Sequence, residues 1–510
     1  MRFFKNIITV GFWTLLSRIL GMGREVLFYA LIGVGPILDA FIVAFRLPNM
    51  FRRFFAEGAF NAAFVPMFSK RVANSQNPDE FASQAMGWLA AILIFFTATA
   101  MIFMPALVWA TAGGFSQDAR FDLAVQYGRI IFPYIFLISL AALLSGVLNA
   151  KDHFAMAAAA PVVLNVLIII ALGFAWLSEK SAITYLVWSV PLAGFFQLIL
   201  LWSAVKKSGV NITLVRPRLS PEMGHLLKVA IPAALANGVV QINLLVGQIV
   251  ASFFPGAVSW LYGADRLYQL PLGVVGIAVG IVLLPELSRC LQANDNIGAK
   301  TAFCRAGEIS FALTFPAAVA LFVVPLPLVS ALFEHGATGR SDTEAIAFAC
   351  TIYGLGLPAF ILQKLLQPLY FAREDTKRPF RYAVLAMIVN GALAVGLMPY
   401  LGWISAAVAT SISSWVMVIL LSKGARQFGD VARFDAQTKN RLVRTATASL
   451  GMGAALWIGD VYLGSMMQTS LTRVLYGAAI VFAGMIIYGI LAQLTGGLSL
   501  SDIRRSMRRS

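Results

Sequence analysis

Six arginines lie within or beside long apolar segments, where an ordinary membrane helix would carry none. They are Arg18, Arg24, Arg46, Arg52, Arg53 and Arg266. One arginine at the centre of a membrane helix costs roughly 2.5–3.5 kcal/mol, so several that faced lipid would cost on the order of 10 kcal/mol. We therefore expect these side chains to face one another, a water-filled cavity or an anionic ligand.

Arginine is suited to phosphate, because its planar guanidinium can bind two phosphate oxygens at once and the lysine ammonium cannot. A lone lysine, Lys364, and four acidic residues accompany the arginines in the apolar segments. The acidic residues are Glu25, Asp39, Glu57 and Asp265. Seven basic groups against four acidic ones leave a positive surplus of three, which fits a phosphate or a diphosphate. A carrier of cationic drugs would be expected to show the opposite sign.

The second predicted helix carries a polar stripe. Its members Asp39, Arg46, Arg53 and Glu57 are spaced by 7, 7 and 4 residues, which keeps them within about 40° of one another on a helix. Pro48 is expected to interrupt this helix. For the acidic members, an internal salt-bridge network that ties helices together remains the alternative.

Candidate site residues also lie on the first and tenth predicted helices and on the eighth, which carries Asp265 and Arg266. On an unbroken first helix, Arg18 and Arg24 would point about 120° apart. Gly21 and Gly23 would permit a bend that turns both arginines toward one space. Lys364 lies alone on the tenth predicted helix, where a salt-bridge partner and a contact with a cavity remain open alternatives.

These residues belong to a chain of 510 amino acids that is 59% hydrophobic and only 12% charged. Apolar runs of membrane-spanning length recur along it and predict an all-α polytopic membrane protein with fourteen helices. The predicted spans are 6–32, 36–69, 84–112, 123–149, 156–178, 183–205, 225–252, 258–288, 305–333, 344–372, 380–400, 403–422, 441–460 and 473–494. The first span has no cleavage site after it, so we expect it to be retained.

The distribution of basic residues predicts the orientation. With the N-terminus in the cytoplasm, inside loops and termini hold 27 lysines and arginines, whereas outside loops and their flanks hold four. Those four are Arg120, Lys180, Arg340 and Arg473. This asymmetry follows the positive-inside rule and places both termini in the cytoplasm. It also accounts for the net charge of +16 without a nucleic-acid partner.

The two halves of the chain repeat each other. Ala44-Phe45-Arg46-Leu47 matches Ala264-Asp265-Arg266-Leu267, and Val65-Pro66-Met67-Phe68-Ser69-Lys70 matches Leu284-Pro285-Glu286-Leu287-Ser288-Arg289, at offsets of 220 and 219 residues. Because each unit has six helices, the repeat is parallel, as in transporters that rock two lobes around a midplane site. We predict an N-terminal lobe over 1–215, a C-terminal lobe over 216–430, and helices 13 and 14 with a basic tail over 431–510.

Several classes of function are disfavoured by the sequence. A zinc site is not expected from three scattered histidines and three cysteines without a C-x-x-C pair. There is no G-x-x-x-x-G-K-[ST] phosphate loop for ATP hydrolysis, and no G-x-S-x-G nucleophile motif. We therefore expect a transporter and not an enzyme, with no catalytic residues, no cofactor and no metal.

Several motifs resemble the MurJ (MviN) family. They are Ser17-Arg18 with Gly23-Arg24, Asp39-Ala40-Phe41, Leu47-Pro48-Asn49, Arg52-Arg53, Phe55-Ala56-Glu57-Gly58-Ala59-Phe60, Ala264-Asp265-Arg266-Leu267 and Leu283-Leu284-Pro285. The resemblance extends over essentially the whole chain and is most specific in the second helix. Relatives often have Asp at Glu25 and Lys at Arg46; both changes keep the charge and leave only the pairing around Arg24 in question.

The resemblance implies the MOP exporter fold and a function in cell-wall synthesis. The family flips lipid II, the undecaprenyl-diphosphate-linked peptidoglycan precursor, across the bacterial inner membrane. In the family, the arginines that match Arg18, Arg24, Arg52 and Arg266 line a central cavity, the residue that matches Asp39 is also important, and helices 13 and 14 form a groove for the lipid tail. We assign Arg46 and Arg53 to the same diphosphate site, Asp39, Glu25, Glu57 and Asp265 to gating, and Lys364 to the cavity.

Alternating access around this cationic cavity is the expected mechanism, driven by the membrane potential or by Na⁺ or H⁺ at an unknown site. We expect a monomer that contacts lipid II and membrane lipids, with the cell-wall synthesis machinery as a further partner. Export of another polyprenyl-diphosphate-linked glycan is the first alternative. A membrane glycosyltransferase is the second, although the chain lacks a sizeable loop for a sugar donor.

Overall fold

The computed structural model describes residues 2–53, 61–74, 76–178, 181–218, 220–279 and 283–497. For some residues within these ranges the structure describes only the backbone; they are residues 2–8, 61–62, 231–244, 274–275 and 277–278. Glu57, Lys180 and the basic residues of the C-terminal tail also lie outside the described residues.

Nineteen α-helices are present within the described ranges. They are α1 (Arg2–Leu31), α2 (Pro36–Arg52), α3 (Asn61–Asn74), α4 (Pro78–Ile102), α5 (Met104–Thr111), α6 (Arg120–Ile131), α7 (Tyr134–Ala150), α8 (Phe154–Leu177), α9 (Ala182–Lys207), α10 (Pro221–Ser252), α11 (Ala257–Ala278), α12 (Leu284–Gln292), α13 (Asn296–Val323), α14 (Pro325–Phe333), α15 (Arg340–Phe371), α16 (Lys377–Leu401), α17 (Ser405–Ala425), α18 (Ala436–Leu463) and α19 (Ser470–Leu494). Each predicted span overlaps one or two of them. By length and composition, eight helical segments in the described part of the chain could cross a membrane.

The third predicted span is broken at the same place in both halves of the chain. Its first helix ends before Phe103 in one half and before Val324 in the other, 221 residues later. A proline stands at the first or second position of the helix that follows, where its missing N–H costs no helical hydrogen bond. This shared break agrees with the repeat offsets of 219 and 220 read from the sequence.

Pro48 does not interrupt the second helix, contrary to the sequence prediction. Helix α2 continues through Pro48 to Arg52. The Asn49 side chain donates a hydrogen bond from Nδ2 to the Phe45 carbonyl at 2.8 Å. Polar side chains of this kind satisfy backbone groups near a proline, which is why membrane helices tolerate it.

The first compact unit comprises Met1–Ser259 and therefore includes α10. Within it, α1 packs on α8, α7 packs on α9, and α2 packs on α6. The second unit comprises Trp260–Ser510. The lobe boundaries predicted from the repeat, at 215 and 430, remain predictions.

An irregular linker, residues 208–218, lies along α4 in the first unit. The Asn211 N–H donates to Asp79 Oδ2 at 2.9 Å, and the Thr213 N–H donates to Ser83 Oγ at 3.1 Å. Farther along, Trp88 Nε1 donates to the Arg218 carbonyl at 3.0 Å. The acceptors Asp79 and Ser83 are four residues apart on one face of α4, so the linker follows that face of the helix.

In the second unit, α18 packs on α13, and α19 packs on α14 and α18. The core between these helices contains five buried apolar side chains: Val319, Val324, Met452, Leu456 and Ile480. Polar contacts add to it, since Arg441 Nη1 lies 2.9 Å from Glu308 Oε2 and Arg473 Nη2 lies 3.2 Å from Glu334 Oε1. Helices α18 and α19 are thus packed into the second unit.

Candidate functional site

The Asp39 carboxylate is the most completely buried acidic group of the predicted set, with no exposed surface. Its Oδ1 accepts hydrogen bonds from the Ser259 N–H at 2.9 Å and from Ser259 Oγ at 2.6 Å. Its Oδ2 accepts one from the Gly256 N–H at 2.8 Å. Gly256 immediately precedes α11, and Ser259 lies in its first turn. Asp39 therefore caps the N-terminal end of that helix with a negative charge.

Arg120 completes the surroundings of Asp39. Its Nη1 lies 3.4 Å from Asp39 Oδ2, and its Nη2 lies 2.6 Å from Asp118 Oδ2. The guanidinium also lies 4.4 Å from the centre of the Phe115 ring. Side-chain hydrogen bonds from Arg120 hold the pKa of the Asp118 carboxyl below its usual value. The buried Asp39 charge is thus compensated by an arginine that is itself fixed by a second carboxylate.

A second polar contact joins α2 to α10. Arg46 Nη1 donates to Gln248 Oε1 at 3.2 Å, and Gln248 Nε2 donates to the Thr111 carbonyl at 3.0 Å. Asp39 and Arg46 are seven residues apart on α2, and both face α10 or the turn that follows it. Two members of the polar stripe predicted on this helix, Asp39 and Arg46, therefore form contacts inside the first unit.

Arg24 is held on α1 by polar and aromatic neighbours. Its Nη1 donates to Asn165 Oδ1 on α8 at 3.0 Å, and its Nη2 forms an ion pair with Glu25. The guanidinium lies 5.4 Å from the centre of the Phe28 ring and 5.7 Å from that of Phe45. Only 8% of Arg24 is exposed, so its charge lies in a low-dielectric site, where an anion would be bound more strongly than in water.

The other arginines of the first unit are more accessible than Arg24. Arg18 and Arg53 are exposed, and Arg46 and Arg52 are half-buried. Helix α1 runs without interruption from Arg2 to Leu31. Arg18 is exposed and Arg24 is buried, so the two side chains have different surroundings, and the bend that would turn both toward one space remains a prediction.

In the second unit, Asp265 and Arg266 lie half-buried on α11. The Arg266 guanidinium lies 4.4 Å from the centre of the Tyr262 ring, one helical turn earlier. Such a cation–π contact restricts the orientation of the arginine without neutralising its charge. Lys364 on α15 is exposed. These positions are compatible with the assigned binding roles, which remain predictions.

Sequence reasoning missed four residues of the first unit that hold the candidate groups in place: Arg120, Asn165, Gln248 and Ser259. Arg120 carried a usable signal, because it is one of only four basic residues on the predicted outer side. Asn165 carried a weaker one as an amide inside an apolar helix. Gln248 and Ser259 are ordinary in sequence, and only their distances to Arg46 and Asp39 reveal them.

Comparison with known proteins gives consistent results. Residues 28–480 match the family described as "Lipid II flippase MurJ". A "Probable lipid II flippase MurJ" from Rhizobium tropici is 42% identical to this chain, over 100% of this chain and 97% of the relative.

Solved structures show the same fold. A structure described as "Lipid II flippase MurJ, inward closed conformation" has a TM-score of 0.80 and 26% identity, covering 96% of this chain and 98% of that one. A multidrug resistance MATE family transporter of the MOP superfamily has a TM-score of 0.70 at 16% identity, covering 81% and 94%. The second likeness concerns the fold alone. The predicted all-α MOP exporter fold is confirmed, and the number of fourteen spans remains a prediction.

Proposed function

This chain belongs to the lipid II flippase MurJ family, and from that membership we propose that it moves lipid II from the inner to the outer leaflet of the bacterial inner membrane. The protein is accordingly a transporter and not an enzyme. The transported headgroup carries a diphosphate, and the isoprenoid tail can remain in lipid throughout.

The observation that carries this proposal is the buried, oriented arginine Arg24. Arg24 is 8% exposed and is oriented by Asn165 and Glu25, so an anion that reaches its guanidinium would be bound in a low-dielectric site. Diphosphate is a fitting ligand, since guanidinium groups bind phosphate oxygens in pairs. From the family resemblance we also assign Arg18, Arg46, Arg52, Arg53 and Arg266 to the headgroup; these assignments remain predictions.

Asp39 is better suited to gating than to substrate binding. Its carboxylate has no exposed surface and accepts three hydrogen bonds from Gly256 and Ser259. Any rearrangement that moves α2 away from the start of α11 must break these bonds together. We assign Asp39, with Arg120 as its partner, to the stabilisation of one conformation in an alternating-access cycle.

The lipid tail is assigned to the outer faces of α18 and α19. Trp457 and Val461 on α18 and Phe482 and Ile486 on α19 are exposed apolar side chains. Burial of hydrocarbon is worth about 0.8 kcal/mol per CH₂ group, so a long isoprenoid gains from such a surface. Phospholipids of the bilayer are the competing occupants.

The drive and the orientation are inferred from the sequence. Without an ATP-binding motif, the membrane potential or a gradient of Na⁺ or H⁺ is the expected source of energy. The excess of lysine and arginine on one side places both termini in the cytoplasm. We expect a monomer that works beside the enzymes of cell-wall synthesis.

Two experiments test the proposal. Expression of this chain should restore growth to a bacterium depleted of its own lipid II flippase, and the purified protein should move labelled lipid II across liposomes. A well-expressed, inserted chain that does neither would overturn it. Competition with another undecaprenyl-diphosphate-linked glycan distinguishes lipid II from the alternative substrate class, because the true substrate should displace the other.

A further inference from the structure

Asn165 on α8 contacts α1 through both ends of its side-chain amide. Its Oδ1 accepts a hydrogen bond from Arg24 Nη1 at 3.0 Å. Its Nδ2 donates to the Ser17 carbonyl at 2.9 Å and lies 3.3 Å from Ser17 Oγ. The oxygen faces a donor and the nitrogen faces acceptors, so the orientation of the amide is fixed by its neighbours.

Local packing brings Asn165 close to the α1 backbone. Ser17, Gly21 and Arg24 are spaced by four and three residues and therefore lie on one face of the helix. A Cβ atom at Gly21 would lie 3.6 Å from Asn165 Nδ2, which is ordinary contact and shows how closely the amide approaches. Asn165 is 6% exposed, so bulk water has little access to it.

We propose that Asn165 is a positioning residue for the diphosphate-binding arginines of α1. It fixes the Arg24 guanidinium directly, and it fixes the backbone at Ser17, immediately before Arg18. One buried amide thus holds both arginines of this helix in register with α8. This inference rests on the proposed function, because it assumes that Arg24 binds the headgroup.

A physical reason supports a positioning role over simple packing. A long arginine side chain loses much rotamer freedom when it binds a ligand, and pre-orientation removes that cost beforehand. Glu25 supplies the charge partner of Arg24, whereas Asn165 supplies a neutral acceptor that orients the guanidinium without adding negative charge. Loss of Asn165 should therefore weaken headgroup binding without changing the net charge.

The chain offers a matched control in Gln197 on α9. This amide is also buried, donates from Nε2 to the Ala160 carbonyl at 2.8 Å, and accepts from Tyr134 Oη at 3.3 Å. These two hydrogen-bond partners lie on α8 and α7 and not on α1. Gln197→Ala therefore removes a buried amide of similar kind while leaving the contacts of Arg24 in place.

The test measures the affinity of purified protein for a lipid II analogue with a shortened isoprenoid chain. Asn165→Ala should weaken binding by about tenfold, the factor for one hydrogen bond to a charged group. Gln197→Ala should bind as the wild type does. In the Arg24→Ala background, Asn165→Ala should have little further effect, since its partner is already absent.

Different failures lead to different conclusions. If the wild type binds the analogue no better than undecaprenyl phosphate, the proposed function fails. Suppose that the wild type binds the analogue and Arg24→Ala binds it more weakly. If Asn165→Ala and Gln197→Ala then have the same affinity for the analogue, only the positioning role is overturned. The positioning role would also be overturned if the fold-changes of Arg24→Ala and Asn165→Ala multiplied in the double variant, because the two residues would then act independently. Should Asn165→Ala not reach the membrane, Asn165→Leu gives the same cycle, because it keeps a similar volume, adds no charge and removes both the acceptor for Arg24 and the donor to Ser17.

Discussion

Arg120 and Asp39 form a buried ion pair across 81 residues of sequence, with Arg120 Nη1 3.4 Å from Asp39 Oδ2. Neither side chain is more than 3% exposed. A buried pair of this kind adds little net stability compared with an apolar pair, but removal of one partner leaves an uncompensated charge. The pair therefore makes the position of α2 relative to α6 sensitive to single substitutions.

Asp39→Asn should lower both thermal stability and transport. The asparagine amide would place its NH₂ group opposite N–H donors of the surrounding residues Gly256, Ser259 and Arg120. In addition, Arg120 would lose a charge partner. We expect destabilisation of about 3–5 kcal/mol, as for other broken buried pairs. Ser259→Ala, which removes one hydroxyl donor to the carboxylate, should cost less, about 1.5–3 kcal/mol. Thermal unfolding in detergent checks this order, and equal stability of Asp39→Asn and wild type would contradict it.

Arg24→Lys and Arg266→Lys should each reduce flipping by roughly tenfold while membrane levels stay near normal, because lysine cannot make the two-pronged contact with phosphate. Arg381→Lys, the same replacement at an exposed position near the start of α16, serves as the comparison outside the assigned site. Transport of labelled lipid II into liposomes is the measurement. Full activity of Arg24→Lys and Arg266→Lys would show that charge alone is sufficient.

Gly87→Ala should displace the linker 208–218 from α4. A Cβ atom at Gly87 would collide with the Val215 carbonyl oxygen, which is backbone and cannot swing away. Overpacking of this kind costs about 1–3 kcal/mol. Faster tryptic cleavage at Arg218 is the expected readout. Gly173→Ala is the control, since nothing lies within 4 Å of its Cβ position, and it should leave cleavage unchanged. Equal cleavage rates for the two variants would count against linker docking.

A photo-crosslinker at Phe482 should capture the lipid tail, whereas one at Ile480 should capture protein. The two residues are close neighbours on α19, but Phe482 is 63% exposed and Ile480 is 7% exposed in the core with α13 and α18. Crosslinking of isoprenoid-labelled lipid II in membranes, analysed by mass spectrometry, checks this. Equal lipid capture at both positions would show that exposure on α19 does not define the tail surface.

Acid should remove the stabilisation that Asp118 provides. Hydrogen bonds from Arg120 hold the pKa of this carboxyl below its usual value. A lowered folded-state pKa stabilises the protein above the unfolded-state pKa of about 3.9, and the contribution is lost as pH falls through the folded-state pKa. Wild type should thus melt higher than Asp118→Asn at neutral pH, and the gap should narrow below about pH 4. A gap independent of pH would exclude this contribution.

The sequence by itself determined the class of protein. Apolar runs of spanning length have few alternatives to membrane helices, and every predicted span overlaps observed helices. The repeat offset also agrees with the structure, since the helix break at Phe103 recurs at Val324. The arginines in apolar segments predict an anion site, because positive charges at membrane depth need a compensating partner, water or an anionic ligand; that site remains a prediction.

Only the tertiary structure decided which charged groups bind each other, because these contacts join residues far apart in sequence. Arg120 was counted as a loop residue on the outer side, yet it neutralises buried Asp39. Arg340 and Arg473, two others of that small outer set, both pair with buried Glu334. Helix periodicity gives the face on which a side chain lies, but not what the neighbouring helix presents to it. For Arg24, that neighbour is the Asn165 amide, 141 residues away.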